Sequence, residues 1–199
     1  ARRPGGAPGL AEAAERAGTL DLVDAVATAL LRTAPGDAPT ALEAAARVLH
    51  GRFADWVIAD LTADGTAVPV RRAAVFGPPD GAALAKVLAG QDPAGCPLVA
   101  EVAAGGSASL QVRPEDALAL GTDDRGTAVL VRAEVSSLLC LPVVVGGAAG
   151  GAGGPEVLGV LTLLRTRARR AFSMAEAQAA DVLSRHVGLA MRRPGPPAP

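Results

Sequence analysis

Apolar residues recur at three- and four-residue steps in TLDLVDAVATALLRT, where Leu22, Val23, Val26, Leu30 and Leu31 gather on one side. This period predicts an amphipathic helix over residues 19–34, broken by Pro35-Gly36-Asp37. A second helix is expected to open at Thr40, whose spacing to Glu43 is that of a capping box. Leu42, Ala46 and Leu49, with Phe53 beyond them, form its apolar side, and Gly51 ends it. The period then drops to two. In FADWVIADL, Trp56 and Ile58 fall on one face and Val57, Ala59 and Leu61 on the other, which predicts a strand buried on both sides. Asp64-Gly65 signals a hairpin turn into VPVRRAAVF, with Pro69 at the start or edge of the return strand. Residues 81–89 and 97–104 read as short helices, SASLQV as a weak strand, and 113–134 as turns mixed with helical pieces. SSLLCLPVVV and EVLGVLTLL are strands joined by GGAAGGAGGP, and a last helix opens at Ser173 with Glu176 at capping-box spacing. Hairpins at both ends of this series imply a mostly antiparallel sheet. Strands without clean alternation need helices over both faces, so the fold class is α+β.

Composition narrows this picture. At 199 residues the chain is expected to hold one domain, with residues 1–18 as a disordered linker and 193–199 as a Pro-rich tail. Three Phe, one Trp and no Tyr leave the core to Leu, Val and Ala, which disfavours recognition by stacking on flat bases or cofactors. A net charge of −1 with half the residues hydrophobic excludes disorder of the whole chain and argues against nucleic-acid or membrane partners. Two cysteines exclude a disulfide scaffold. The uncharged run 135–155 is long enough to span a bilayer, but its second half is mostly Gly, which rules against a helix. No apolar stretch follows ARRPGGAPGL as in a secretory signal, so a cytoplasmic location is expected.

The series ADWVIADL, SSLLCLPVVV, VLGVLTLLR and FSMAEAQAADVLSRHVGLAM resembles a GAF domain, over residues 36–192. The likeness is greatest to GAF sensor units of actinobacterial signalling proteins, particularly those linked to sporulation-type serine phosphatases or to histidine kinases. The bias to Arg, 18 against one Lys, and the lack of Asn read as GC-rich coding, as in an actinobacterium. The resemblance implies a central antiparallel sheet, with N- and C-terminal helices on one face and short helices and loops covering a ligand pocket on the other. It also implies an effector, attached beyond Met191 or separate. From strand parity, Phe76, Leu110, Leu139, Leu141 and Val143 are the expected pocket walls. Leu22, Val26 and Leu30, with Leu183, Val187 and Met191, are the expected homodimer interface, a helical bundle that passes a pocket signal onward.

The expected function is therefore a non-catalytic sensory domain, with a degenerate domain serving only dimerisation as the alternative. A free-methionine-sulfoxide reductase shares the fold and is the enzyme alternative, with Cys96 and Cys140 as its only thiols. The cofactor stays unassigned. The Asn-Lys-Phe-Asp-Glu signature of cyclic-nucleotide binders is missing, and neither cysteine neighbours a His as bilin attachment would want. His50 and His186 read as packing or solvent-facing residues rather than haem ligands. The glycine run 146–154 lacks the Lys and Ser/Thr of a phosphate loop and leads into a strand, so it reads as a flexible hairpin. Arg165, Arg167, Arg169 and Arg170 form a basic cluster, expected to be solvated or to touch an acidic partner.

Overall fold

The computed structural model describes residues 9–63, 66, 68–146 and 156–192. The first helix, α1, spans Leu10–Leu31 and so begins inside the stretch expected to be a linker. LAEAAERA has no apolar stripe, but it consists of strong helix formers, and propensity extends the helix where the hydrophobic period is silent. α2 spans Ala38–Leu49 and is capped by Asp37, whose carboxylate accepts the Thr40 N–H at 3.2 Å. The Thr40–Glu43 capping box is thus corrected. The helix starts earlier, and Glu43 pairs one turn on with Arg47 at 2.6 Å.

β1 (Trp56–Thr62) and β2 (Pro69–Phe76) follow, and the Asp64-Gly65 turn between them lies outside the described residues. The next segment holds α3 (Ala82–Ala89), α4 (Pro97–Gly105), β3 (Ser109–Val112) and α5 (Val129–Arg132). β4 (Val135–Val145) and β5 (Glu156–Thr166) are the long central strands. Beyond Gly146 their linking glycine run is outside the described residues. α6 (Met174–Met191) opens with the expected capping box. Ser173 Oγ accepts the Glu176 N–H at 3.2 Å, and Glu176 Oε2 accepts the Ser173 N–H at 2.8 Å.

The strands form one antiparallel sheet in the order β2-β1-β5-β4-β3. α2 and α6 lie on one face, and α1 lies across those two helices. Val57, Ala59, Leu61, Leu161 and Leu163 point to this helix face, while Trp56, Ile58, Val160 and Leu164 point to the distal face under α3, α4 and α5. β1 is buried on both sides, as its sequence predicts.

The proposed dimer stripe is spent inside the chain. Leu22, Val26, Leu30, Leu183, Val187 and Met191 are all buried against α2, α6 and the sheet. These residues therefore offer no face to a second copy, and the apolar period of α1 reports intramolecular packing. α6 also sits unusually close to β4, because a Cβ on Gly188 would lie 2.2 Å from the Val144 carbonyl oxygen.

The expected basic cluster divides. Arg165 is buried, and its guanidinium joins three parts of the chain. Nε donates to the Phe53 carbonyl at 3.0 Å and Nη1 to the Arg170 carbonyl at 3.1 Å. Glu176 accepts Nη2 and Nη1 at 2.9 and 3.2 Å. The same cation lies 4.0 Å from the Phe172 ring centroid and 5.2 Å from that of Phe53. Arg169 reaches the Gly51 and Arg52 carbonyls and the Asp55 carboxylate. Arg167 alone of the four fits a fully solvated role without correction.

Gly188→Ala is expected to lower stability by at least ~2 kcal/mol, since the obstacle is backbone on both sides. Gly105→Ala, where an added Cβ meets nothing within 4 Å, is the control. Urea unfolding midpoints compare them. Burial pushes the Glu176 carboxyl up, but hydrogen bonds from Arg165 and Ser173 outweigh it and hold the group below its ordinary value of 4.5. Its contribution is thus complete above pH 4.5 and lost as pH falls through the lower, native value. Glu176→Gln should be less stable at neutral pH and lose less on acidification in that window.

Candidate functional site

Asp60 is the charged residue in the middle of β1, and its side chain is fully buried on the distal face. Burial pushes its carboxyl above the ordinary carboxylate range, against the pull of Arg72. Arg72 reaches it because β2 carries a bulge. Ala59 pairs with Ala74 but Asp60 pairs with Arg72, so Ala73 is the extra residue that turns Arg72 inward. The two meet side by side, Nε to Oδ1 at 2.8 Å and Nη2 to Oδ2 at 3.3 Å. Arg72 Nη1 then donates to the Leu88 carbonyl at the end of α3, at 2.7 Å, and to Gln91 Oε1 at 3.0 Å. Gln91 Nε2 donates to the Thr122 carbonyl at 2.7 Å. A cation at a helix C-terminus is favourable in itself. The network satisfies its members and fastens the distal layer to the sheet.

Both cysteines lie in this layer. Cys96 is buried, with Sγ 3.8 Å from Arg72 Nη2 and 3.6 Å from the Leu120 carbonyl oxygen. Burial pushes its thiol up, with Arg72 pulling the other way. Cys140 pairs with Thr162 at 3.4 Å, and burial pushes its thiol up to about 12. Neither is a thiolate at neutral pH, the form that attacks or binds metal.

The open part of the distal side is a cavity of about 700 Å3 at the start of β1, lined by His50, Trp56, Asp80, Arg132 and Glu134 among others. The segment from Gly77 to Gly81 lies directly on the indole. Cβ atoms at those two glycines would fall 2.2 and 2.5 Å from it. His50, the C-cap of α2, stacks on Phe76 with ring centroids 5.9 Å apart. Arg132 is held by Asp123 at 2.5 Å and Asp124 at 3.6 Å. Asp123 also accepts the Arg125 and Thr127 N–H groups at 2.8 Å. The cavity thus combines an aromatic wall with a rim carrying both signs of charge, the mix that small-molecule sites use.

The residues expected to wall the pocket lie elsewhere. Leu139, Leu141 and Val143 are buried on the helix face, and Phe76 and Leu110 pack against that same core. β4 is apolar on both faces, so its parity carries no signal, and Leu138 and Cys140 are the ones that face the distal layer. His186 is half-buried on α6, away from the cavity linings. Sequence reasoning missed Asp60, Arg72 and Gln91. The available signal was a lone carboxylate inside WVIADL facing a strand that carries Arg71 and Arg72.

The fold is that of one family. The family model described as GAF domain matches residues 21–191, and the chain belongs to that family. Members are typically regulatory or sensory domains of signalling proteins. A GAF domain of a phosphoenolpyruvate-protein phosphotransferase from Coxiella burnetii is 15% identical, with a TM-score of 0.61, covering 88% of this chain and 93% of that one. The nlh2 GAF domain of A. aeolicus in an inactive state is 17% identical at TM-score 0.59, covering 87% and 95%. Free methionine-R-sulfoxide reductase from Neisseria meningitidis, in complex with its substrate, is 17% identical at TM-score 0.56, covering 89% and 90%. Likeness at these identities concerns the fold. No curated protein matches the sequence. Among the described residues no helix is long and apolar enough to cross a membrane.

Removing one partner of the buried pair leaves the other charge unpaired. Asp60→Ala is expected to cost about 3–5 kcal/mol, whereas Asp60→Leu with Arg72→Met together should recover much of that loss. Chemical unfolding of the single and double variants measures both.

Proposed function

We propose that this GAF domain is a non-catalytic sensory module of cytoplasmic bacterial signalling. It binds a small molecule in the cavity beside Trp56 and acts on a kinase or serine phosphatase through its terminal helices. The observation that carries this reading is the cavity itself. It is open, walled by an indole, rimmed by Asp80, Arg132 and Glu134, and bordered by the segment leading into α3. An occupant there touches both the sheet and the distal helices. The terminal helices pack on the opposite face of the same sheet. That continuity is a physical route for a signal, since β1 lines the cavity at one end and carries α2 on its other side.

A second reading is favoured by the packing of the distal layer. Trp56, Ile58, Leu88, Val99 and Leu138 already fill the space above the centre of the sheet. In that reading the domain is degenerate and only dimerises. Its face is then the outward apolar residues of the terminal helices, Leu20, Leu31, Val182 and Leu189, and not the buried stripe. The reductase reading draws no support from Cys96 and Cys140, whose burial keeps both thiols protonated.

Trp56 is the chain's single tryptophan, so its fluorescence reports this cavity without labelling. Native mass spectrometry of the purified domain should show a retained small molecule. Its removal should shift the Trp56 emission, and Arg132→Ala should weaken retention. A domain that carries nothing, and whose emission ignores a metabolite panel, supports the dimer-only reading.

A further inference from the structure

One wall of the cavity beside Trp56 is held far more loosely than the others. Pro78, Pro79, Asp80 and Gly81 form it, continued by Ala83 and Leu84 of α3. The strap from Gly77 to Gly81 lies against the six-membered ring of the indole, and Trp56 beneath it is only 2% exposed. Hydrogen bonding does not hold the strap in place. Pro78 and Pro79 have no N–H to give. Among the described residues, and outside regular helix and strand pairing, its one bond runs from the Gly81 N–H to the Pro78 carbonyl at 2.8 Å. That bond is internal to the strap. Pro79 and Asp80 are exposed, and α3 begins at Gly81 without a side-chain cap. Ala82 and Ala83 are exposed too, so Leu84 is the first buried side chain of α3. The far end of that helix is pinned, because Arg72 Nη1 donates to the Leu88 carbonyl at 2.7 Å.

We infer that the Gly77–Gly81 strap is a lid, which swings off Trp56 about its two glycines and the pinned end of α3. Glycine at each end supplies a pivot and lets the backbone lie on the ring, while the paired prolines make the strap move as one piece. Packing on the indole is what keeps it closed. An occupant of the cavity competes with the strap for that indole, so entry and opening are one event. The pinned end of α3 bears the torque of opening, and Arg72 carries it to Asp60 on β1. The inference rests on the reading of this cavity as a ligand site. Its test needs no ligand, so the two fail separately.

The single tryptophan gives one indole N–H signal, so nitrogen relaxation dispersion on the unliganded whole chain reads the lid directly. The Trp56 indole and the amides of Gly77, Asp80 and Gly81 should share one exchange process on the microsecond-to-millisecond scale, with an open population of ~0.1–10%. The Leu88 and Gln91 amides, at the pinned end, should not share it. Gly81→Ala places a Cβ 2.5 Å from the ring without straining a backbone at φ −87°, so it penalises the closed state. The open population should rise at least ~tenfold, and acrylamide should quench Trp56 more strongly. Gly90→Ala, whose Cβ meets only the Val87 and Lys86 carbonyls at 3.6 and 3.8 Å, should change neither. A strap and indole without exchange in the unsubstituted chain overturn the inference, whether or not Gly81→Ala folds. So does a Gly81→Ala domain that is less stable to urea yet no more open to acrylamide, because the indole has then yielded instead of the strap.

Discussion

Arg165 stands at the end of β5, where a buried cation must be matched from several directions at once. Its carboxylate partner is Glu176, which also closes the capping box of α6. The position of the last helix is therefore tied to the charge at the end of the sheet. The same guanidinium holds the Phe53 carbonyl and the Phe172 ring, so the turn into β1 and the approach to α6 converge on it. α1 rests on α2 and α6 and follows from that convergence. Leaving such a cation without its acceptors would cost far more than a surface ion pair returns.

The two faces of the sheet are built on different principles. The helix face is an apolar interlock of Leu, Val and Ala, drawn tight where Gly188 lets α6 rest on the β4 backbone. The distal face is apolar around a polar spine, in which Arg72 ties the sheet to the end of α3 and, through Gln91, to the loop at Thr122. The first arrangement resists sliding by shape. The second resists it by direction, because hydrogen bonds between fixed atoms tolerate little rotation.

Element order, the antiparallel sheet and the capping box at Ser173 were legible in the sequence, since each rests on a local spacing. The faces of the central strands were not. A strand such as LLCLPVVV is apolar at every step, so nothing in it says which residues meet the helices, and Leu139, Leu141 and Val143 fell to the opposite side from the one expected. The stripes on α1 and α6 were read correctly as apolar, but periodicity does not say whether the partner is another chain or the same one. The bulge at Ala73 was hidden for a different reason. A single extra residue leaves no mark on composition and shows only in the register of two paired strands.

That bulge has an evolutionary consequence. Asp60 and Arg72 meet only because Ala73 is inserted between the paired positions, and a one-residue slip would send the carboxylate into the Leu and Val of the helix face. The pair therefore marks the register of β1 against β2, much as a key marks its lock. Mutation cannot approach it one position at a time. In divergent copies of this domain the carboxylate, the guanidinium and the added residue should be inherited together or lost together, a three-site covariation written by geometry alone.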